Sequence, residues 1–192
     1  MKAVKTTPQE TQGRIVDAAI ACVKRWGIQK VTLNDIAKEA GVTRPTVYSY
    51  FKSRDDVLRY AMLQSAYVFG DKLLKHIGKF KTPGQRVLEA FLFTLKRLPK
   101  EPYLVLIIDA DFSQILNQHA LSTEEGQTVL RSLFSTLLVD MTLETAVIDE
   151  MAEFSARLLL SLLAVEGRVQ RSDAEMRAFL VRRLLPALGL SE

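Results

Sequence analysis

The sequence predicts an all-α chain, with a small N-terminal three-helix unit joined by one long helix to a larger helical domain. Three observations carry that prediction. Apolar residues recur at three- and four-residue spacing along the chain, and no alternating strand pattern competes with them. Capping residues and glycine or proline stops punctuate the chain at helical intervals. The stretch from Thr32 to Phe51 reads as two short helices around a tight turn.

The first helix begins near Pro8, with Thr7 as its cap, proline at the first position and Glu10 closing a capping box. Ile15, Ala19, Cys22, Val23 and Trp26 form its expected buried stripe, and Gly27 stops it. The residues before Pro8 bring Lys2 and Lys5, which are placed to brush phosphates. The next helix is capped by Thr32, with Asp35 on the free amides of the first turn. Leu33, Ile36, Ala37 and Ala40 give it one apolar face, and Gly41 ends it because a residue at positive φ is most cheaply glycine.

The third helix opens at Thr43 and tolerates Pro45, because the first turn has no intrahelical N–H to lose. Val47 and Phe51 face the core. The opposite face holds Arg44, Pro45, Tyr48, Ser49 and Lys52, with Thr46 and Tyr50 beside it. Bases, small hydroxyls and tyrosine rings are the groups that touch phosphates and base edges. A helix of this kind, laid in a major groove by the helix before it, is the helix-turn-helix arrangement.

Ser53 and the acidic pair Asp55 and Asp56 start a long helix from Arg54 to about Lys79, about 39 Å at the α-helical rise. No Gly-, Pro- or Ser-rich linker interrupts it. The expected domains are therefore residues 1–53, the helix-turn-helix, and 54–192, with 54–79 as connector. Thr82 and Pro83 open a helix through Val87, Phe91, Leu95 and Leu98 to a stop at Pro99. A less regular segment, helical with a break around Asp111 to Ser113, covers Tyr103 to His119. Further helices are expected from Thr123 to Asp140, with Val129, Leu133, Leu137 and Leu138 on one face, from Leu143 to Glu166, and from Ser172 to Gly189.

Composition sets the bounds. The 192 residues are 48% apolar and 25% charged, and no apolar run reaches the ~18–20 residues of a membrane span. The N-terminus lacks the apolar stretch of a secretory signal, so the expected location is cytoplasmic. Cys22 is alone and reads as a small core residue. The net charge of +4 is unevenly spread: residues 1–60 hold 11 basic and 6 acidic side chains, whereas residues 61–192 hold 15 and 16. A basic excess confined to the helix-turn-helix part is the footprint of phosphate binding.

The N-terminal third resembles the DNA-binding domain of the TetR family of bacterial transcriptional regulators. The matching elements are Trp26-Gly27 ending the first helix, VTLNDIAKEAGVTRPTVYSYFKSRDDVL from Val31 to Leu58, and the tyrosine-x-tyrosine-phenylalanine pattern at Tyr48, Tyr50 and Phe51. The resemblance implies a transcriptional regulator, most simply a repressor, that binds a palindromic operator as a homodimer and responds to a small molecule. It implies DNA contacts from Thr32, Thr43, Arg44, Pro45, Thr46, Tyr48, Ser49, Tyr50, Lys52 and Arg54. Arg44 is the base reader, since its fork fits guanine O6 and N7. It also implies a dimer made by the last two long helices, through Phe154, Leu158, Leu162, Phe179, Leu180 and Leu184. A largely apolar effector is expected among Met62, Tyr67, Phe91, Tyr103, Asp109, Phe112, His119 and Phe134.

No nucleophile elbow, phosphate loop, CxxC pair or HExxH is present. Asp109, Asp111, Asn117 and His119 match no spacing that acid/base or metal chemistry requires, so neither metal nor cofactor is expected. The alternatives are a corepressor-dependent or activating regulator and, from another class, a small helical enzyme.

Overall fold

The computed structural model describes residues 7–101, 124–165 and 170–192. Among them are eight α-helices and no strand: α1 Pro8–Trp26, α2 Leu33–Ala40, α3 Arg44–Tyr50, α4 Arg54–Ile77, α5 Pro83–Arg97, α6 Glu124–Leu137, α7 Thr145–Ala164 and α8 Asp173–Ala187. Two short 3₁₀ turns, Ile28–Lys30 and Leu98–Lys100, follow α1 and α5. The segment expected as a helix from Tyr103 to His119 lies outside the described residues, as do Lys2, Lys5 and Glu166. No described helix is long and apolar enough to cross a membrane.

The chain divides into two compact units between Val68 and Phe69, inside α4. In the first unit the buried apolar residues include Ile15, Val16, Ala19 and Cys22 of α1, Ile36 and Ala37 of α2, Val47 of α3, Phe51, and Val57, Leu58 and Ala61 of α4. Burial pushes the Cys22 thiol up in pKa, as suits a small core residue. Trp26 departs from the expected stripe. It is 40% exposed, with the Arg25 guanidinium 5.2 Å over its ring, because Gly27 turns the chain one residue after it.

The second unit buries Leu73 and Ile77 of α4 with Val87, Leu88 and Phe91 of α5, Phe134 and Leu137 of α6, Met151 and Ala152 of α7, and Leu180, Leu184 and Leu185 of α8. Val129, expected on the apolar face of α6, is exposed instead, and Leu130, one residue on, turns to the core. Arg86 is the buried charge that organises this unit. Its guanidinium donates to the carbonyls of Leu137 (2.7 Å) and Lys81 (3.0 Å) and to Asp140 Oδ2 (2.7 Å). It thereby caps α6 and fixes the turn before α5. Gly84, in the first turn of α5, has no room for a side chain, since a Cβ there would lie 1.8 Å from the Ser191 carbonyl oxygen.

Candidate nucleic-acid interface and C-terminal cleft

The helix-turn-helix is set by its caps. The Thr32 backbone N–H and hydroxyl both donate to Asp35 Oδ2, at 2.9 and 2.6 Å, and the Asp35 N–H returns to Thr32 Oγ1 at 3.3 Å. These bonds hold the Asp35 carboxyl below the usual carboxylate range. Gly41, with φ 64° and ψ 36°, ends α2 in the left-handed conformation. The Arg14 guanidinium donates to the Ala40 carbonyl, so α1 satisfies the C-terminal end of α2 from outside. The turn geometry is thus over-determined from both sides.

α3 then begins at Arg44, with the Thr46 N–H donating to Thr43 Oγ1 (3.3 Å). Val47 and Phe51 are buried, which turns Arg44, Pro45, Tyr48 and Ser49 outward as exposed residues, with Thr46 and Tyr50 half-buried beside them. Thr32, Thr43 and Lys52 are exposed as well. The Arg44 fork is held by its neighbour one turn on. Its Nη2 donates to the Tyr48 hydroxyl at 3.1 Å, and its carbon lies 5.5 Å from the Tyr48 ring centre.

At the start of α4 the Lys52 N–H donates to Asp56 Oδ2 (3.1 Å) and the Asp56 N–H to Ser53 Oγ (3.1 Å). Arg59 pairs with Asp56 at 2.7 Å and holds that carboxyl below its ordinary range. Arg54 turns toward Asp55, 3.2 Å away, and its side chain is about two-thirds covered. It is less available than Lys52 for an outside partner. One exposed face therefore gathers Arg44, Pro45, Tyr48 and Ser49, flanked by Thr43 and Lys52. This is a surface of fixed hydrogen-bond donors and an unpaired lysine, suited to phosphates and base edges.

Of the expected effector residues, Met62, Tyr67, Phe91 and Phe134 are among the described residues. Tyr67 is 80% exposed, because it sits on the outer side of α4. Phe91 and Phe134 are spent in the second unit's core, and Met62 is buried in α4 within the first unit. Tyr103, Asp109, Phe112 and His119 lie outside the described residues. The helices of the expected dimer face divide similarly. Leu180 and Leu184 are fully buried in the protomer's own core and have no area left to give a partner, whereas Phe154 is exposed and Leu158, Leu162 and Phe179 are half-buried.

The sequence reading missed a different site. A cleft of about 670 Å³ is lined by His76 of α4, by Glu89 and residues 92, 93 and 95–97 of α5, and by Arg171 with the start of α8. The Glu89 carboxylate, nearly buried, accepts from Arg177 and lies 3.2 Å from His76 Nε2. The His76 ring is 5.0 Å from that of Phe93 and 5.5 Å from that of Phe80. Lys96 pairs with Asp173 (2.5 Å), lowering that carboxyl's pKa. The signal available in the sequence was a glutamate among the apolar residues of α5, three positions after Arg86. Its partners lie 13 and 88 residues away, beyond any local pattern. Among the described residues no group of three or more His, Cys, Asp and Glu side chains could hold a metal ion.

Comparison with known proteins bears on the N-terminal unit and on the fold. Residues 15–61 match the family described as bacterial regulatory proteins, tetR family. An uncharacterized HTH-type transcriptional regulator of Mycobacterium tuberculosis is 27% identical over 179 residues, 90% of this chain and 83% of that protein. Among solved structures, the TetR family repressor AlkX from Dietzia sp. strain DQ12-45-1b, implicated in n-alkane biodegradation, superposes with a TM-score of 0.64. It is 19% identical, over 97% of this chain and 98% of that one. AibR, crystallised with isovaleryl coenzyme A and operator DNA, has a TM-score of 0.55 at 12% identity, over 89% of this chain and 96% of its own. At these identities the structural matches establish the fold.

Proposed function

We propose that this chain, a helix-turn-helix transcriptional regulator that belongs to the TetR family and not an enzyme, is a homodimeric repressor released from a palindromic operator by a small molecule. The observation that carries the DNA-reading part is the outward face of α3. Val47 and Phe51 anchor the helix, and Tyr48 holds the Arg44 fork away from the protein. Arg44 reads a base, Pro45 and Thr46 meet a thymine methyl or a base edge, and Thr32, Tyr48, Tyr50 and Lys52 bind phosphates and set the register. Residues 1–53 are the DNA-binding domain, and residues 54–192 bind the effector and form the dimer.

The exposed apolar face of α7 supports a two-fold dimer. Val147 and Phe154 are exposed, and Leu158 and Leu162 are half-covered, at helical spacing on a helix whose other side is already buried. Two copies joined there present two recognition helices to two half-sites. An effector that prefers the conformation with those helices wrongly spaced pulls the dimer off DNA, with a coupling of about 1–3 kcal/mol. AlkX, a repressor of the same fold, and AibR, crystallised with both a ligand and operator DNA, support this reading.

The test is a selection of bound sequences from random duplexes with the purified protein, with sedimentation of the protein alone and on the winning duplex. Enrichment of an inverted repeat bound by two chains is the expected result. Enrichment of a single half-site bound by one chain contradicts the dimeric reading, and absence of any enrichment contradicts release by an effector, since a repressor of this kind binds unliganded.

A further inference from the structure

The charge of the C-terminal cleft does not balance. Lys96, Arg97, Arg171 and Arg177 stand against Glu89 and Asp173 in its lining, four cationic side chains to two carboxylates. Two of those cations are already engaged, Lys96 by Asp173 and Arg177 by Glu89 and Glu192. Arg97 and Arg171 have no carboxylate at ion-pair distance among the described residues. Each lies over an aromatic ring instead: Arg97 is 5.8 Å from the Phe93 centre and Arg171 4.5 Å from that of Phe179.

A guanidinium held by its face keeps the N–H donors at its edge, the arrangement that suits bidentate recognition of a carboxylate or phosphate. Glu89 does not oppose an incoming anion, because His76 and Arg177 enclose its carboxylate. The lining also has apolar surface to offer, with Leu92, Phe93, Leu95 and Met176 partly covered rather than fully packed. At about 670 Å³ the cleft falls within the ~300–1,000 Å³ range of small-molecule sites.

We infer that this cleft binds an amphipathic anion, with a carboxylate or phosphate head taken by Arg97 and Arg171 and an apolar tail laid on Phe93, Leu92 and Met176. Binding stands on the cleft alone; only its regulatory consequence rests on the proposed effector-controlled repressor.

Calorimetric titration of the full-length protein with octanoate, octyl phosphate, octanamide and octyltrimethylammonium tests it. Octanoate or octyl phosphate should bind at one site per chain, and the preference between them identifies the head group. Octanamide should bind about tenfold more weakly, the loss of one charge-assisted contact, and the ammonium compound not at all. Arg97→Gln and Arg171→Gln alter exposed side chains, so the fold is kept. Each should weaken octanoate about tenfold and leave octanamide unchanged. Equal affinity for octanoate and octanamide, unchanged octanoate binding in both variants, or no binding of either anion at millimolar concentration overturns the inference.

The same ligands are then added to the protein on its selected duplex. Octanoate that binds without changing DNA affinity overturns release by this ligand and keeps the site. A protein that binds DNA and ignores every anion overturns the site and keeps the regulator.

Discussion

The recognition face and the C-terminal cleft are built in opposite ways. The first is contiguous. Thr43 to Lys52 supply the groups proposed to read DNA, and its caps, Thr32 with Asp35 and Thr43 with Thr46, are made between residues three apart. The second is assembled from distant residues, with Glu89 meeting His76 13 positions away and Arg177 88 positions away. A site made by local geometry tolerates change elsewhere and depends on its own caps. A site made by tertiary packing depends on whatever holds its helices in place.

The largest expected effect breaks the second region and spares the first. Arg86→Ala leaves the Leu137 and Lys81 carbonyls and the Asp140 carboxylate without their shared donor. It should destabilise the C-terminal unit by about 3 kcal/mol or more, seen as an early step in denaturant unfolding followed by near-UV circular dichroism. Hydrogen exchange in α1 to α3 should stay at its wild-type rate. If α1 to α3 lost protection equally, the two units would not be separable in the way the comparison requires.

Within the first region, Arg44→Ala should cost about 1–3 kcal/mol of discrimination at one base position, read as a flattened column in a binding-site selection. Thr32→Ala should cost about 1 kcal/mol of stability, by thermal denaturation at neutral pH. The sign of its pH dependence is fixed by Asp35, whose folded carboxyl lies below the usual range. The bond network therefore contributes fully above the unfolded value of about 3.9 and is lost as pH falls through the lower folded value. The melting difference between wild type and Thr32→Ala should narrow in that acid window. Lys52→Ala should have the smallest effect, weakening all duplexes alike and reducing the salt slope by about 1.

The same contrast decides what could be read in advance. The caps at Thr7, Thr32, Thr43, Thr82 and Ser172 lie where residue type and spacing place them, because a cap is a bond between near neighbours. The outward set on α3 was legible for the same reason: Val47 and Phe51 fix the inward side. Trp26 and Val129 were misplaced by periodicity alone, which does not say where a helix's covered face ends. Leu180 and Leu184 look like interface residues in a leucine-rich stripe, but the protomer's own core takes them. The cleft was invisible because its chemistry depends on which helices meet, and the basic residues that line it carry no local pattern.

The central claim, that the exposed face of α3 reads base sequence through Arg44 while its neighbours hold the backbone, is tested most directly by one titration series. Wild type and Arg44→Ala are each titrated at several salt concentrations against the selected duplex and against one carrying a substituted base at the position Arg44 reads. Wild type should distinguish the duplexes by about 1–3 kcal/mol. The variant should bind both equally, with a salt slope close to wild type. A variant that keeps the full preference and loses only salt dependence would show Arg44 to be a phosphate contact and place base reading elsewhere on the chain.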